Sequence, residues 1–433
     1  MNNRLDLTQV EALGDTLSAD TEQQRKLSIR GTTGGLAKRY EDWRQQLLYA
    51  RGELEALIDF SEDQHFDESP AELCASVSKQ IVALKRILLI HTQNAVRGEL
   101  LRHGISVSLL GPPNAGKSSL LNRIVGREAA IVSHEAGTTR DVVEIGLDLG
   151  GYFCRFGDTA GLRLAKEAVQ GGQSILEAIN HIEQEGMRRA KARAADSDLV
   201  IVVLGFETVN DHTALNFDAE VCAVANQLHQ EKGNVLLVIN KSDLLPMDEF
   251  RRDSALRIAL DHFPGLARDR VYMVSCIDGP PADASTPFQS SDPGGIQKFL
   301  QGLIQQFGRL TEAVTSESSA DEPDPSVWQE ALGATERHRV LLEACVGHLD
   351  AFLAEATPST AADGQRYRFD PAGGLDSADA TRDTAADEEA DIVVAAEHLR
   401  FAADCLAKIT GRGDAGDVNE VLGVVFEKFC VGK

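Results

Sequence analysis

The stretch Gly111-Pro-Pro-Asn-Ala-Gly-Lys-Ser118 fits G-x-x-x-x-G-K-[ST] at every fixed position. It constrains the fold because its chemistry needs a context. A short apolar strand must lead in and a helix must follow. Ile105-Ser-Val-Ser-Leu-Leu110 precedes the loop, and Leu120, Leu121, Ile124 and Val125 recur at helical spacing behind it. Strand, glycine loop and helix N-terminus then aim successive backbone N–H groups at phosphates. Asn114, Ala115, Gly116, Lys117, Ser118 and Ser119 are the candidate contacts. Lys117 is expected to reach the β- and γ-phosphates, and the Ser118 hydroxyl to bind Mg2+.

Four further elements follow in order. Gly137-Thr-Thr-Arg-Asp141 supplies a threonine, Thr139 rather than Thr138, placed to close on Mg2+ when a γ-phosphate is present. Asp158-Thr-Ala-Gly161 follows a strand signal; Asp158 would hold a metal-bound water and the Gly161 N–H would sense the γ-phosphate. Asn240-Lys241-Ser-Asp243 follows an apolar run at 235–239. A carboxylate such as Asp243 accepts from both N1–H and the exocyclic amine of guanine, a donor pair that adenine lacks. Ser275-Cys276, after a strand signal at 271–274, sits where a backbone N–H meets the guanine carbonyl. Each element alone is weak; in this order they specify GTP. Small signalling GTPases place a water-orienting glutamine after the D-x-x-G glycine. Here that residue is Leu162, so another group must do the work. Glu167, Glu177, Glu183 and Glu185 are all within reach, and spacing does not choose among them.

Residues 105–310 alternate strand and helix signals, with strands expected at 105–110, 143–149, 151–156, 199–204, 235–239 and 271–274. That is the α/β doubly wound pattern. Helical patterns flank it on both sides. Leu36, Tyr40, Trp43, Leu47, Ala50, Leu54 and Leu57 place one apolar stripe on a helix within 8–58. Ser69-Pro-Ala-Glu72 reads as a capped helix start, with the helix running to about Arg102. One further helix is expected over 327–356, and two more over 392–410 and 418–429, the last capped by Asp417. The economical architecture is a P-loop GTPase domain at 104–310 inserted into an all-α helical domain formed by 1–103 and 327–433. A polar linker is expected at 311–326, a surface loop at 278–295 and disorder at 357–390.

Composition removes several classes. The formal charge of −24 excludes non-specific coating of nucleic acid, so an RNA contact needs a local basic patch or a partner. Seven cysteines without metal-type spacing argue against a disulfide framework or a zinc site and fit a reducing, intracellular compartment. No run of about 18 apolar residues is present, so no membrane span is expected.

With these residues in hand, the chain resembles the MnmE/TrmE-type tRNA-modifying GTPases and their mitochondrial homologues over nearly its whole length. Asn3-Arg-Leu-Asp-Leu-Thr-Gln-Val-Glu-Ala12 is similar to the family's entry into its helical domain. Residues 111–122 and 137–141 match its nucleotide motifs, and Phe429-Cys-Val-Gly-Lys433 resembles its C-x-G-K ending. Ribosome-assembly GTPases share the nucleotide motifs but not that tail or the flanking helices. The resemblance implies modification of the tRNA wobble uridine at C5, in complex with an MnmG/GidA-type flavoprotein, with folate as one-carbon donor. It also implies K+-stimulated GTP hydrolysis coupled to homodimerisation through the GTPase domains. Carried over residue by residue, Asn114 matches a K+ ligand, Glu183 the water-orienting glutamate and Cys430 the cysteine of the modification chemistry.

Members carry a folate-binding domain ahead of the segment that begins here. The chain is therefore expected to be a truncated gene model, an isoform or a fragment, and the resemblance places no folate site on its residues. The inserts at 278–295 and 357–390 suggest a mitochondrial protein, with a bacterial cytoplasmic one as the alternative. Two other functions compete: a ribosome-assembly or RNA-binding switch GTPase, and a truncated form that binds GTP but cannot support modification.

Overall fold

The computed structural model describes residues 5–60, 70–127, 130–133, 144–157, 188, 190–209, 212–245, 249–277, 292, 294–315, 326–356 and 391–411. Four helices open the chain: α1 (Leu7–Ser18), α2 (Glu22–Gly31), α3 (Gly35–Phe60) and α4 (Pro70–His103). Then come β1 (Ile105–Leu110), α5 (Lys117–Arg127), β2 (Ala130–Ser133), β3 (Ile145–Leu149), β4 (Tyr152–Phe156), β5 (Leu199–Val209) and β6 (His212–Asn216). These are followed by α6 (Ala219–Lys232), β7 (Val235–Asn240), α7 (Glu249–His262), β8 (Val271–Met273) and α8 (Ile296–Thr311). Helices α9 (Ser326–Ala331), α10 (Glu336–Ala356) and α11 (Ile392–Thr410) close the described chain. The chain divides into two compact units, one of Met1–Leu13, Arg30–Val96 and Ala313–Lys433, the other of Gly14–Ile29 and Arg97–Glu312.

In the helical unit, α3, α4, α10 and α11 share one core. All seven residues of the stripe on α3, from Leu36 to Leu57, are buried there against Leu342, Leu349 and Phe352 of α10 and Leu399 and Leu406 of α11. Each such buried aliphatic side chain stabilises the unit by roughly 1.5–3 kcal/mol relative to exposure. The helix expected over 327–356 is two helices. Gly333 N–H turns back to the Glu330 carbonyl at 2.8 Å, and Thr335 starts α10: its N–H donates to His338 Nδ1 at 3.1 Å, while its hydroxyl accepts from His338 N–H at 3.5 Å. The glycine and the reciprocal cap end one helix and begin the next.

In the nucleotide unit the sheet runs β2-β3-β4-β1-β5-β7-β8, with β6 paired to β5. β1 is parallel to β4 and β5, and β7 to β5 and β8. β2, β3 and β6 pair antiparallel. Side chains alternate across the sheet. Leu199, Ile201 and Val203 face a core with Leu120 and Ile124 of α5 and Phe299 and Leu303 of α8. Val200, Val202 and Leu204 face the opposite core with Val221 and Ala225 of α6 and Ala259 of α7. Helices thus cover both faces, as the alternation of signals requires. β2 and β6 were not expected. β2 has an apolar run, Ala130-Ile-Val132, but only four residues at a sheet edge, and β6 is a half-exposed hairpin partner without such a run.

Several expectations fall outside the described residues: the Ser69 cap, Asp417 with its helix at 418–429, most of the loop at 278–295, and the segment at 357–390. No described helix is long and apolar enough to cross a membrane.

Candidate nucleotide-binding site

Parallel strands β1, β7 and β8 end on one edge of the sheet, and three motif segments leave from it: 111–118, 240–243 and 274–277. Ligands of open α/β sheets bind outside this edge.

The phosphate loop is shaped by where side chains are forbidden. A Cβ on Gly111 would lie 2.2 Å from the Val203 carbonyl oxygen, and one on Gly116 would lie 2.0 Å from Asn240 Nδ2. Gly116 also has φ +93°, and Asn114 has φ +60°. Left-handed residues in such a turn direct backbone N–H groups inward, the arrangement that fits a phosphate chain. Ser118 and Ser119 follow in the first turn of α5, and the Leu120 N–H already bonds the Gly116 carbonyl at 2.9 Å. Lys117 Nζ donates to the Gly111 and Pro112 carbonyls at 2.7 and 2.8 Å, which holds its ammonium over the loop.

The side formed by the N-K-x-D turn and the β8 loop is built from contacts that the motifs do not spell out. Asn240 Nδ2 donates to the Ala115 carbonyl at 3.0 Å, so the first residue of N-K-x-D braces the phosphate loop. Lys241 is left-handed at φ +61°, and Ser242 N–H bonds the Val274 carbonyl at 3.1 Å; together they turn the chain so that Asp243 meets the β8 loop. There Ser275 Oγ donates to Asp243 Oδ1 at 2.6 Å. Ser275 N–H is already bonded to the Gly294 carbonyl at 2.9 Å. Of the two residues expected to meet the guanine carbonyl, Cys276 is therefore the one whose N–H meets no acceptor among the described residues. Arg123 of α5 donates from Nε to the Cys276 carbonyl at 2.9 Å. Burial pushes the Cys276 thiol up to about 11; Arg123 opposes the shift and Asp243 adds to it. That thiol stays protonated at neutral pH and serves as packing rather than as a nucleophile.

The structure therefore brings Asn114, Ala115, Gly116, Lys117, Ser118, Ser119, Asn240, Lys241, Asp243, Ser275 and Cys276 to one sheet edge. Thr139, Asp158, Gly161, Leu162, Glu183 and Cys430 lie outside the described residues, as do Glu167, Glu177 and Glu185. Arg123 was missed by sequence reasoning. Its type has no fixed place in the motifs, and its partner lies 153 residues away.

The loop, the doubly wound sheet and the surrounding helices define a P-loop GTPase domain carried by an all-α domain. A family model described as the MnmE helical domain matches residues 7–430. The tRNA modification GTPase MnmE of Parvibaculum lavamentivorans is 35% identical over 432 residues, covering 100% of this chain and 74% of that protein. The human mitochondrial 5-taurinomethyluridine-[tRNA] synthase subunit GTPB3 is 31% identical over 434 residues, covering 100% of this chain and 70% of that protein. The chain belongs to the MnmE family. Among solved structures, the G domain of the T. maritima FeoB iron transporter is similar at 20% identity over 46% of this chain and 97% of that one, with a TM-score of 0.26.

Proposed function

We propose that the chain hydrolyses GTP to drive C5 modification of tRNA wobble uridines, acting with an MnmG/GidA-type flavoprotein. The observation that carries this reading is the family match from residue 7 to residue 430, which spans the helices as well as the nucleotide domain. In this reading Asp243, oriented by the Ser275 hydroxyl, accepts from N1–H and the exocyclic amine of guanine, and Cys276 N–H donates to the guanine carbonyl. Lys117 and the loop N–H groups hold the β- and γ-phosphates. Ser118 and Thr139 hold Mg2+, which neutralises charge on the transferring phosphoryl group. Asp158 and Gly161 read the γ-phosphate. Asn114, exposed and left-handed at the loop's tip, offers an amide oxygen to K+. Glu183 orients the attacking water where Leu162 cannot, and Cys430 serves the modification chemistry. Two copies pair through their GTPase domains, and the setting is mitochondrial.

GTP turnover in equimolar KCl and NaCl tests the hydrolytic half. Higher turnover in K+ is expected, lost in Asn114→Ala, and Glu183→Ala should lower kcat by about 100-fold or more. Equal turnover in the two salts would remove the potassium role. Complementation of a modification-deficient strain, read by tRNA nucleoside analysis, tests the other half. Wild-type chain should restore the modified uridine and Cys430→Ser should not. Failure of the wild type, with GTP turnover intact, would reject the tRNA role for this chain.

A further inference from the structure

The peptide between Ser275 and Cys276 is pinned from both sides. On one side Ser275 N–H is held by the Gly294 carbonyl at 2.9 Å. Gly294 approaches so closely that a Cβ there would lie 2.7 Å from the Ser275 carbonyl oxygen. On the other side the Cys276 carbonyl is held by Arg123 Nε at 2.9 Å. The first clamp comes from the loop's own neighbourhood. The second comes from α5, the helix whose first residues are Lys117 and Ser118. Arg123 lies six residues beyond Lys117, about 9 Å along the helix axis. Leu120, Leu121 and Ile124 bury the same helix, at 0%, 3% and 0% exposure, so it is a rigid arm.

We infer that Arg123 is a specificity-positioning residue: it staples the phosphate-binding helix to the base-reading loop and fixes the direction of the Cys276 N–H. The inference rests on the guanine reading of Asp243 and Cys276 given above. Its consequence is specific to the base. Guanine presents a carbonyl at C6, which accepts from an N–H; adenine presents an amine, which is repelled by one. A site built around a fixed donor rejects the wrong base because the donor is left unpaired. Freeing one end of the 275–276 peptide lets that N–H turn away, and the rejection weakens. The phosphate contacts, made at the other end of α5, stay in place.

The side-chain chemistry supplies a matched pair of variants. Glutamine carries an N–H donor the same number of bonds from Cα as Arg Nε. Methionine has the same length and no donor. Wild type, Arg123→Met and Arg123→Gln are compared by the dissociation rate of a ribose-labelled fluorescent GDP, the ratio of ATP to GTP affinities, and steady-state GTP hydrolysis. Arg123→Met should release GDP about tenfold faster and cut the preference for GTP over ATP about tenfold. Its KM for GTP should rise while kcat at saturation holds. Arg123→Gln should recover GDP retention and base preference. A purely structural role predicts equal weakening of GTP and ATP, and that outcome overturns the inference. So does Arg123→Met with wild-type release and ratio, or Arg123→Gln behaving like Arg123→Met. If the wild type itself shows no preference for GTP over ATP, the guanine reading fails first and the inference falls with it.

Discussion

Asn240 Nδ2 lies 3.0 Å from the Ala115 carbonyl oxygen, so the residue that opens the N-K-x-D turn also holds up the glycine loop at 111–118. Both ends of the bond are buried, with Asn240 at 2% and Ala115 at 2% exposure. Asn240→Ala strips the donor from a buried carbonyl, which costs roughly 1–3 kcal/mol. GDP affinity should fall by about tenfold or more, with a lower melting temperature, in calorimetric titration and thermal melting. Unchanged affinity would show that the loop holds its shape without the brace.

Gly116→Ala should be far more damaging than a glycine change elsewhere. Gly116 has φ +93°, and its new Cβ would sit 2.0 Å from Asn240 Nδ2. Gly233 is left-handed too, at φ +62°, but nothing lies within 4 Å of its new Cβ. Gly233→Ala should therefore cost only the backbone strain, about 1 kcal/mol, and leave nucleotide binding intact. Side-by-side GDP titrations of the two variants separate close approach from strain.

The contrast between these contacts and the motifs shows where sequence was informative. The phosphate loop was legible because steric exclusion fixes residue type: nothing but glycine fits beside Val203 O or Asn240 Nδ2. Central strands were legible because burial on both faces demands unbroken apolar runs; all six residues of β7 are buried. The break at Gly333–Thr335 was passed over because the apolar spacing of the two helices hides a cap made by a histidine side chain. Arg123 and the Ser275–Asp243 bond were not legible, since each joins segments distant in the chain and neither imposes a residue type.

Glu144 and Arg193 form an ion pair within the nucleotide unit, with Arg155 Nη1 3.7 Å from the same carboxylate. Arg193 belongs to a helical stretch at 190–196 and lies over Gly157, where a Cβ would come 1.9 Å from its Nε. The pair is partly exposed, at 22% and 40%, so screening limits it to about 1 kcal/mol or less. Gly157→Ala should push the flexible guanidinium aside and break the pair. Its cost should then vanish in an Arg193→Ala background, and the exchange Glu144→Arg with Arg193→Glu should restore most of the stability lost in either single reversal. Urea melts of this set form double-mutant cycles, and strict additivity would rule out the coupling.

His91 should make the helical unit sensitive to mild acid. It is fully buried, with Nε2 2.9 Å from the Tyr40 hydroxyl and Trp43 edge-on to its ring. Burial, with Arg39 and His338 adding, lowers its pKa from 6.5 to about 3. Below pH 6.5 the unfolded chain binds a proton that the folded chain refuses, so stability falls as pH drops from 6.5 toward 3 and is unaffected above. The slope approaches about 1.4 kcal/mol per pH unit. Glu11 acts lower. Burial raises its pKa, but hydrogen bonds and charge from His338 and Arg337 prevail and bring it from 4.5 to about 2. Its contribution is complete above pH 4.5 and lost between 4.5 and 2. Urea midpoints between pH 7.5 and 5 should therefore decline in wild type and flatten in His91→Gln.

Arg337 ties three helices of the helical unit into one joint. It stands in the first turn of α10, and its Nε donates to Glu11 Oε1 of α1 at 2.7 Å. Its Nη1 and Nη2 donate to the Lys408 and Ile409 carbonyls of α11 at 3.0 and 2.9 Å. The last carbonyls of a helix have no partner within the helix, and a cation at that end also meets the negative pole of the dipole. His338 Nε2 lies 2.8 Å from the second Glu11 oxygen, so the carboxylate is gripped on both sides. One planar fork serves a carboxylate and two carbonyls in divergent directions, which an ammonium at a single point cannot copy. Arg337→Lys should therefore lose nearly as much stability as Arg337→Ala, roughly 2–4 kcal/mol by charged hydrogen bonds alone. Glu11→Gln should lose less, because its amide oxygen still accepts from Nε while the α11 carbonyls keep their donors. Chemical denaturation of the three variants gives the order, and a lysine variant as stable as wild type would show that charge at the α11 end, not the fork, holds the joint.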